Sequence, residues 1–306
     1  MQISTSLLFD RASAQLRQLQ NDTAKSQAQI ATQKQVLNPS DAPDQAATIS
    51  RLKSIIDRND NYSKILSTLQ ARLDSESTTL SSASDVLIRI KELTIQASNA
   101  TQGQTSRAAI ATEMKGLRDQ LLSLANSTDT TGSYLFSGSK VKTPAFAADQ
   151  AGAVSYQGDQ TQMQVAVGDQ RTLPLNRPGS TAFVRVVRTS NGETTGTGFF
   201  QAIDDLIAGV NSSNSSVMQR GLTEIDALHQ GIVLAQAKAG TDMKVIEQQG
   251  AVIDDTRITL KTALSNLEDL DMATAITQLQ KQILSLEAAQ SSFAKVSQLN
   301  LFSYIR

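Results

Sequence analysis

The chain has 306 residues, a formal net charge of -1, no cysteine and a single histidine. That composition excludes disulfides, thiolate nucleophiles and the common zinc sets. No cluster of Lys and Arg offers to neutralise phosphates, and no apolar stretch nears the roughly 18 residues of a membrane span, so neither nucleic acid nor membrane is expected as a partner. The opening "MQISTSLLFD" lacks a positive n-region and a sustained apolar run, so no cleavable secretory signal is expected.

Phe9, Leu16, Thr23, Ile30 and Leu37 recur every seven residues, with Ala12, Leu19, Ser26 and Gln33 between them. This is the a/d pattern of a helix with one apolar stripe. Its flanks are Gln, Ser, Ala and Thr, with few of the charges that solvate a free coiled coil. Pro39 and Pro43 then predict a corner: the first helix stops near Leu37, Ser40 or Asp41 caps the next, and Pro43 lies in its first turn. Residues 1–43 thus read as an amphipathic helix plus corner. The corner is either a plain helix end or a device that redirects the chain.

Leu66, Leu73, Leu80 and Leu87 repeat at seven, with Tyr62, Leu69, Ala83, Ile90 and Ala97 between them. They predict a helix from about Asp44 to Ala97, on the order of 80 Å at 1.5 Å per residue. In "NATQGQTSR", Gly103 is expected to end that helix and Thr105 or Ser106 to cap a return helix carrying Ile110, Met114, Leu117, Leu121 and Leu124. These helices make up 44–132.

From 133 to 198 the pattern changes to "SYLFSG", "AVSYQGD", "QMQVAVG", "TLPLN" and "AFVRVVRT", short β-prone runs between turn residues. Five aromatics, Tyr134, Phe136, Phe146, Tyr156 and Phe183, concentrate here, enough to expect a compact β-rich domain. Helix returns over 199–270, and Asp271 is placed to cap a last helix in 271–306. That helix carries Met272, Leu279, Leu286, Phe293 and Asn300, interleaved with Ile276, Ile283, Gln290 and Ser297.

The predicted fold is mainly α with an inserted β-rich domain. It is a long antiparallel helical rod, its terminal helices paired as a coiled coil and the small β domain at the far tip. Nothing in it asks for catalysis. His229 falls on a helical pattern one turn from Ile225 and Ile232, beside a packed face. Asp204-Asp205, Asp254-Asp255 and "LEDLD" lack metal-loop spacing and read as helix termini or solvated faces. No enzyme activity, metal or cofactor is expected.

Ordering one residue costs about 1–2 kcal/mol, whereas burying a large apolar side chain gains roughly 1.5–3 kcal/mol. With one such side chain in about four residues, the terminal helices are expected to be mobile alone and ordered in an assembly. The expected assembly surface comprises Phe9, Leu16, Leu19, Ile30, Leu37, Met272, Ile276, Leu279, Ile283, Leu286, Phe293, Leu301 and Phe302, with Pro39, Ser40, Asp41 and Pro43 as the corner.

"QIATQKQVLNPSDAPDQAATISRL" and "LEDLDMATAITQLQKQILSLEAAQSSFAKVSQLNLFSYIR" resemble the N- and C-terminal segments of the flagellin family, and the resemblance covers nearly the whole chain. "MQISTSLLFD", "LNPSDAP", "YLFSGSKVKTPAF" and "LNLFSYI" are closer to the hook–filament junction members than to filament flagellin, whose corner typically reads Asn-Ser-Ala-Lys-Asp-Asp. The resemblance implies a structural adaptor of the flagellum, exported unfolded through the type III apparatus without a cleaved signal. Its implied partners are sister subunits in a ring, the other hook-associated junction protein, flagellin, and an export chaperone on the C-terminal segment. A minor filament flagellin is the nearest alternative, and a soluble coiled-coil tether or signalling protein is a more distant one.

Overall fold

The structure, a computed structural model, describes residues 2–99, 101–150, 152–190 and 193–302. In chain order the elements are α1 (Gln2–Thr32), α2 (Pro43–Ser98), α3 (Gln104–Ala125), β1 (Phe146–Ala148), β2 (Val154–Tyr156), β3 (Gln164–Gly168), β4 (Arg171–Pro174), α4 (Gly179–Ala182), β5 (Val186–Ser190), β6 (Glu193–Thr197), α5 (Phe199–Asn211), α6 (Ser215–Glu268) and α7 (Met272–Phe302). They form two units, one from the residues up to Asn59 together with those from Asp255, the other from Asp60 to Asp254.

In the second unit α2 and α6 run antiparallel, as Ser84 to His229 (2.9 Å), Lys91 to Asp226 (2.6 Å) and Ser98 to Met218 (3.8 Å) show. Neither Pro nor Gly interrupts α2 after its first residue, so nothing breaks its hydrogen-bond ladder. Its stripe of Leu80, Leu87, Ile90 and Leu93 is fully buried against Met114 and Leu121 of α3, Ile203 and Leu206 of α5, and Ile225 of α6. Gly103 proves to be the N-cap of α3, since its carbonyl accepts from Arg107 N–H (3.1 Å), which leaves Thr105 and Ser106 inside the helix rather than capping it. The Arg107 guanidinium reaches back to the carbonyls of Ala97 (3.0 Å) and Asn99 (3.3 Å), so a cation closes α2 in place of the expected glycine.

The strand-rich stretch is inserted between helices, as expected, and consists of three two-stranded antiparallel hairpins, β1–β2, β3–β4 and β5–β6. Hairpins of three to five residues cannot bury a face unaided. Their aromatics therefore join the helical core, with Phe183 edge-on to Phe199 at 5.1 Å and Phe146 edge-on to Phe200 at 5.3 Å. The run "SYLFSG" makes only isolated bridges. The carbonyls of Tyr134 and Leu135 are taken by Arg72, and Gly138, at φ 70°, turns so tightly that a Cβ would strike the Asp159 backbone.

Arginines fasten this stretch to the helices. Arg72 Nη1 lies 2.5 Å from Asp129, Arg188 grips both oxygens of Glu224 at 2.6 and 2.7 Å, and Arg177 bridges Glu76 (2.5 Å) and Asp242 (2.9 Å). Glu76 is 5% exposed, and burial pushes its carboxyl up despite the attraction of Arg177 and Arg72. Removing one partner of a buried pair leaves the other uncompensated. Arg177→Ala should therefore cost about 3–5 kcal/mol in urea unfolding, and Glu76→Gln far less. Because Glu76 binds its proton more tightly folded than unfolded, the wild type should gain stability on Glu76→Gln as the pH falls through that raised value. A constant difference between pH 7 and pH 4 would contradict this.

Candidate assembly interface

α1 and α7 belong to the first unit and pair with each other, Phe9 meeting Phe293 at 4.7 Å between ring centroids. On α1 the more covered positions include Ala12, Leu16, Leu19, Thr23, Ser26 and Ile30, the expected seam, while Phe9 stays 44% exposed. Among the described side chains of α1 only Thr23 and Ser26 are buried, and both are polar. On α7 the covered positions are Met272, Ala275, Leu279, Gln282, Leu286, Ala289 and Phe293.

The companion series on α7 thus differs from expectation. Ile276 and Ile283 stand outside the seam, 43% and 37% exposed, beside Leu284 at 68%. A heptad admits a companion three or four residues on, and small side chains at Ala275 and Ala289 let the two helices approach. Six of the expected residues, Leu16, Leu19, Ile30, Met272, Leu279 and Leu286, meet in this seam together with Phe9 and Phe293. The side chains of Leu301 and Phe302 lie outside the described residues.

The corner also departs from expectation. α1 ends at Thr32, five residues before Leu37. Gln33 takes φ 57°, its N–H reaches Ile30 O (3.4 Å), and Lys34 N–H reaches Gln29 O (3.2 Å), a Schellman ending made without glycine. The chain then crosses the α6–α7 joint: Gln35 N–H donates to Glu268 O (2.8 Å) and Leu270 N–H to Gln33 O (3.1 Å). Pro39 and Ser40 occupy a turn closed by Asp41 N–H on Asn38 O (3.0 Å). Neither Ser40 nor Asp41 caps α2. Ala42 is the N-cap, its carbonyl accepting from Ala46 N–H (2.8 Å), and Pro43 is the first helical residue as expected. The Asp41 carboxylate instead turns back to Lys25 Nζ (3.2 Å) and Asn38 N–H (3.2 Å), contacts that hold its pKa down. Leu37, off the seam and half-buried, lines a cleft of about 530 Å³ with Val36, Pro39, Ala46 and Ile49.

One side chain joins these parts. Glu268 ends α6 with its carboxylate 9% exposed, and accepts Lys34 Nζ from the corner (2.6 Å) and Lys53 Nζ from α2 (2.9 Å). Burial alone would raise its pKa, but the hydrogen bonds from the two lysines outweigh it and hold the carboxyl below the ordinary value. Asp271 caps α7 as expected, accepting from the N–H groups of Ala273 (3.1 Å) and Thr274 (3.3 Å) and from Thr274 Oγ1 (2.7 Å). Glu268 escaped sequence reasoning because "LEDLD" looks like any acidic helix end. No local signal marks it, since Lys34 is far off in sequence and Lys53 has Asp57 one helical turn on as a nearer apparent partner.

His229 bonds Ser84 between two helices, the packed-face position expected of it. Among the described residues no group of three potential metal ligands occurs, and no helix is long and apolar enough to cross a membrane.

Residues 3–141 match the bacterial flagellin N-terminal helical region and residues 222–305 its C-terminal helical region. Flagellar hook-associated protein 3 of Salmonella typhimurium is 27% identical over 320 residues, covering all of both chains. The same-named protein of Escherichia coli is 26% identical, covering 99% of each. The fold is similar to those of FlgL from Xanthomonas campestris (23% identity, TM-score 0.62, 71% of this chain and 99% of that one) and hook-associated protein 3 from Legionella pneumophila (19%, 0.64, 72% and 98%).

Lys34 and Lys53 are half-exposed, so Glu268→Gln should cost only about 1 kcal/mol or less of global stability. Its effect should be local: the Gln35 and Leu270 amides should exchange several-fold faster. A lowered carboxyl pKa contributes stability above the unfolded value and loses it as the pH falls through the folded one. As the pH falls below the ordinary glutamate range and through that lowered value, wild-type protection at these two amides should therefore fall to that of Glu268→Gln, measured by hydrogen exchange.

Proposed function

Because the chain belongs to the flagellin family, we propose that it is a structural adaptor of the bacterial flagellum, forming the junction between hook and filament. The observation that carries this reading is kinship over the full length, both terminal segments included, with proteins named hook-associated protein 3. A terminal helix pair whose seam is half-exposed suits a part that completes its packing among neighbours.

The detailed reading follows the physics of the two ends. Segments 1–43 and 271–306 form the tube interior with their counterparts in a ring of sister subunits. The helices of 44–132 and 199–270 continue outward, and the strand-rich stretch of 133–198 faces away from the axis. Neighbours are the other hook-associated junction protein on one side and flagellin on the other, and an export chaperone holds the C-terminal segment before secretion. The protein leaves the cell unfolded through the flagellar type III apparatus and resides at the hook–filament junction. The corner at Pro39, Ser40, Asp41 and Pro43 lets α1 enter the inner tube while α2 joins the outer layer. Ile276 and Ile283, uncovered within one chain, meet neighbouring subunits.

A strain lacking this chain should keep intact hooks and shed flagellin into the medium, and supplying the chain should restore attached filaments. Filaments of normal length without it would favour a minor filament flagellin. Purified subunits on hook-derived seeds should stop after a ring, whereas extended polymer would count against the adaptor. Ile276→Asp should abolish complementation while shifting monomer stability by no more than about 0.5 kcal/mol, since the position is already exposed.

A further inference from the structure

Among the described residues, one buried side-chain oxygen finds no hydrogen-bond partner: Oε1 of Gln282. Gln282 sits in the α7 seam between Leu279 and Leu286. By the register that Phe9–Phe293 and Lys34–Asp269 set, it lies level with the turn of α1 between Leu19 and Thr23. The hydroxyl nearest in that turn, Thr23 Oγ1, is already spent on Leu19 O at 2.7 Å. A buried acceptor without a donor weakens whatever structure buries it, by a factor of about five to a hundred in the closing equilibrium. An apolar side chain would carry no such penalty there, and the seam holds Ala275 and Ala289 one heptad to either side.

What surrounds Gln282 indicates where a donor would come from. The residue is half-buried as a whole, so it sits at the edge of the seam, beside the uncovered face. That face presents Ile283 and Leu284, exposed apolar residues that nothing in one chain covers. The outer faces of α1 and α7 carry exposed amides and hydroxyls, among them Gln18, Gln20, Gln27 and Ser291. A second copy laid on Ile283 and Leu284 brings such donors next to Gln282.

We propose that Gln282 decides how the terminal pair chooses its partner: its oxygen takes a hydrogen bond from an amide or hydroxyl on a terminal helix of a second copy, and until then it keeps α1 and α7 weakly closed. The inference rests on the assembly reading above, and adds to it a residue that opposes closure in one chain and favours it between chains.

Gln282→Met is nearly isosteric and removes the acceptor. In the isolated full chain it should raise hydrogen-exchange protection of the α1 and α7 amides by about tenfold. In the deletion strain it should nevertheless raise shed flagellin several-fold over the wild-type chain at equal secretion. Gln282→Asn, which keeps a carbonyl, should shed less than the Met variant. Raised protection with complementation as good as wild type would reduce Gln282 to an ordinary seam defect and overturn the proposal. Unchanged protection would overturn it too, because the oxygen would then already have a donor, such as water. A wild-type chain that fails to complement would strike at the assembly reading itself, and a loss confined to the Met variant would not.

Discussion

The distribution of burial governs this protein. Every described apolar side chain that is fully withdrawn from water lies between Ile49 and Ile253, on α2, α3, α5, α6 or the stretch between them. α1 and α7, each 31 residues long, contribute none, and the two buried positions on α1 are a threonine and a serine. A helix is held mainly by packing of its apolar face, because propensity alone barely sustains it in water. The middle of the chain has that packing within itself. The ends find only part of it, in each other.

Fastening follows the same division. Around the hydrophobic core, loops and hairpins are tied by arginines that are 10–20% exposed and grip carboxylates on neighbouring helices, as Arg177 grips Glu76 and Asp242. Such pairs lock a loop in place because releasing either partner strands a charge. At the terminal pair the ties are lighter. Two backbone bonds and one carboxylate, Glu268, join the α1–α2 corner to the α6–α7 joint, and the lysines that reach it are half in water. The two chain crossings are thereby held to each other, so α1 and α7 start from a common base even where their seam is weak.

Where local chemistry decides the structure, the residues disclosed it. α2 was expected from Asp44 to Ala97 and runs Pro43–Ser98, and the Asp271 cap was legible from its place before an apolar run. The misses share a cause: the deciding partner is distant in sequence. α1 stops at Thr32 because Gln33 to Gln35 bond to Glu268 and Leu270, and no proline or glycine marks the place. The seam on α7 runs through Ala275, Gln282 and Ala289 because of what α1 presents, and heptad spacing by itself cannot choose between neighbours three and four residues away. β-prone runs announce strands but not how many pair, so three hairpins on a helical core read like one small domain.

The weakness of the terminal pair is specific in its chemistry. Had its seam been merely short of apolar residues, alanines throughout would have been enough. Instead it carries Thr23, Ser26 and Gln282, groups that want hydrogen bonds, close to isoleucines and a leucine that want cover. A purely apolar surface associates with any other apolar surface, since hydrophobic burial has no direction. Polar groups set among apolar ones restrict the acceptable partners to those that place a donor correctly, as a single buried amide does in coiled coils. On the proposal above, the residues that weaken the lone pair are the same ones that would make an assembled pair selective.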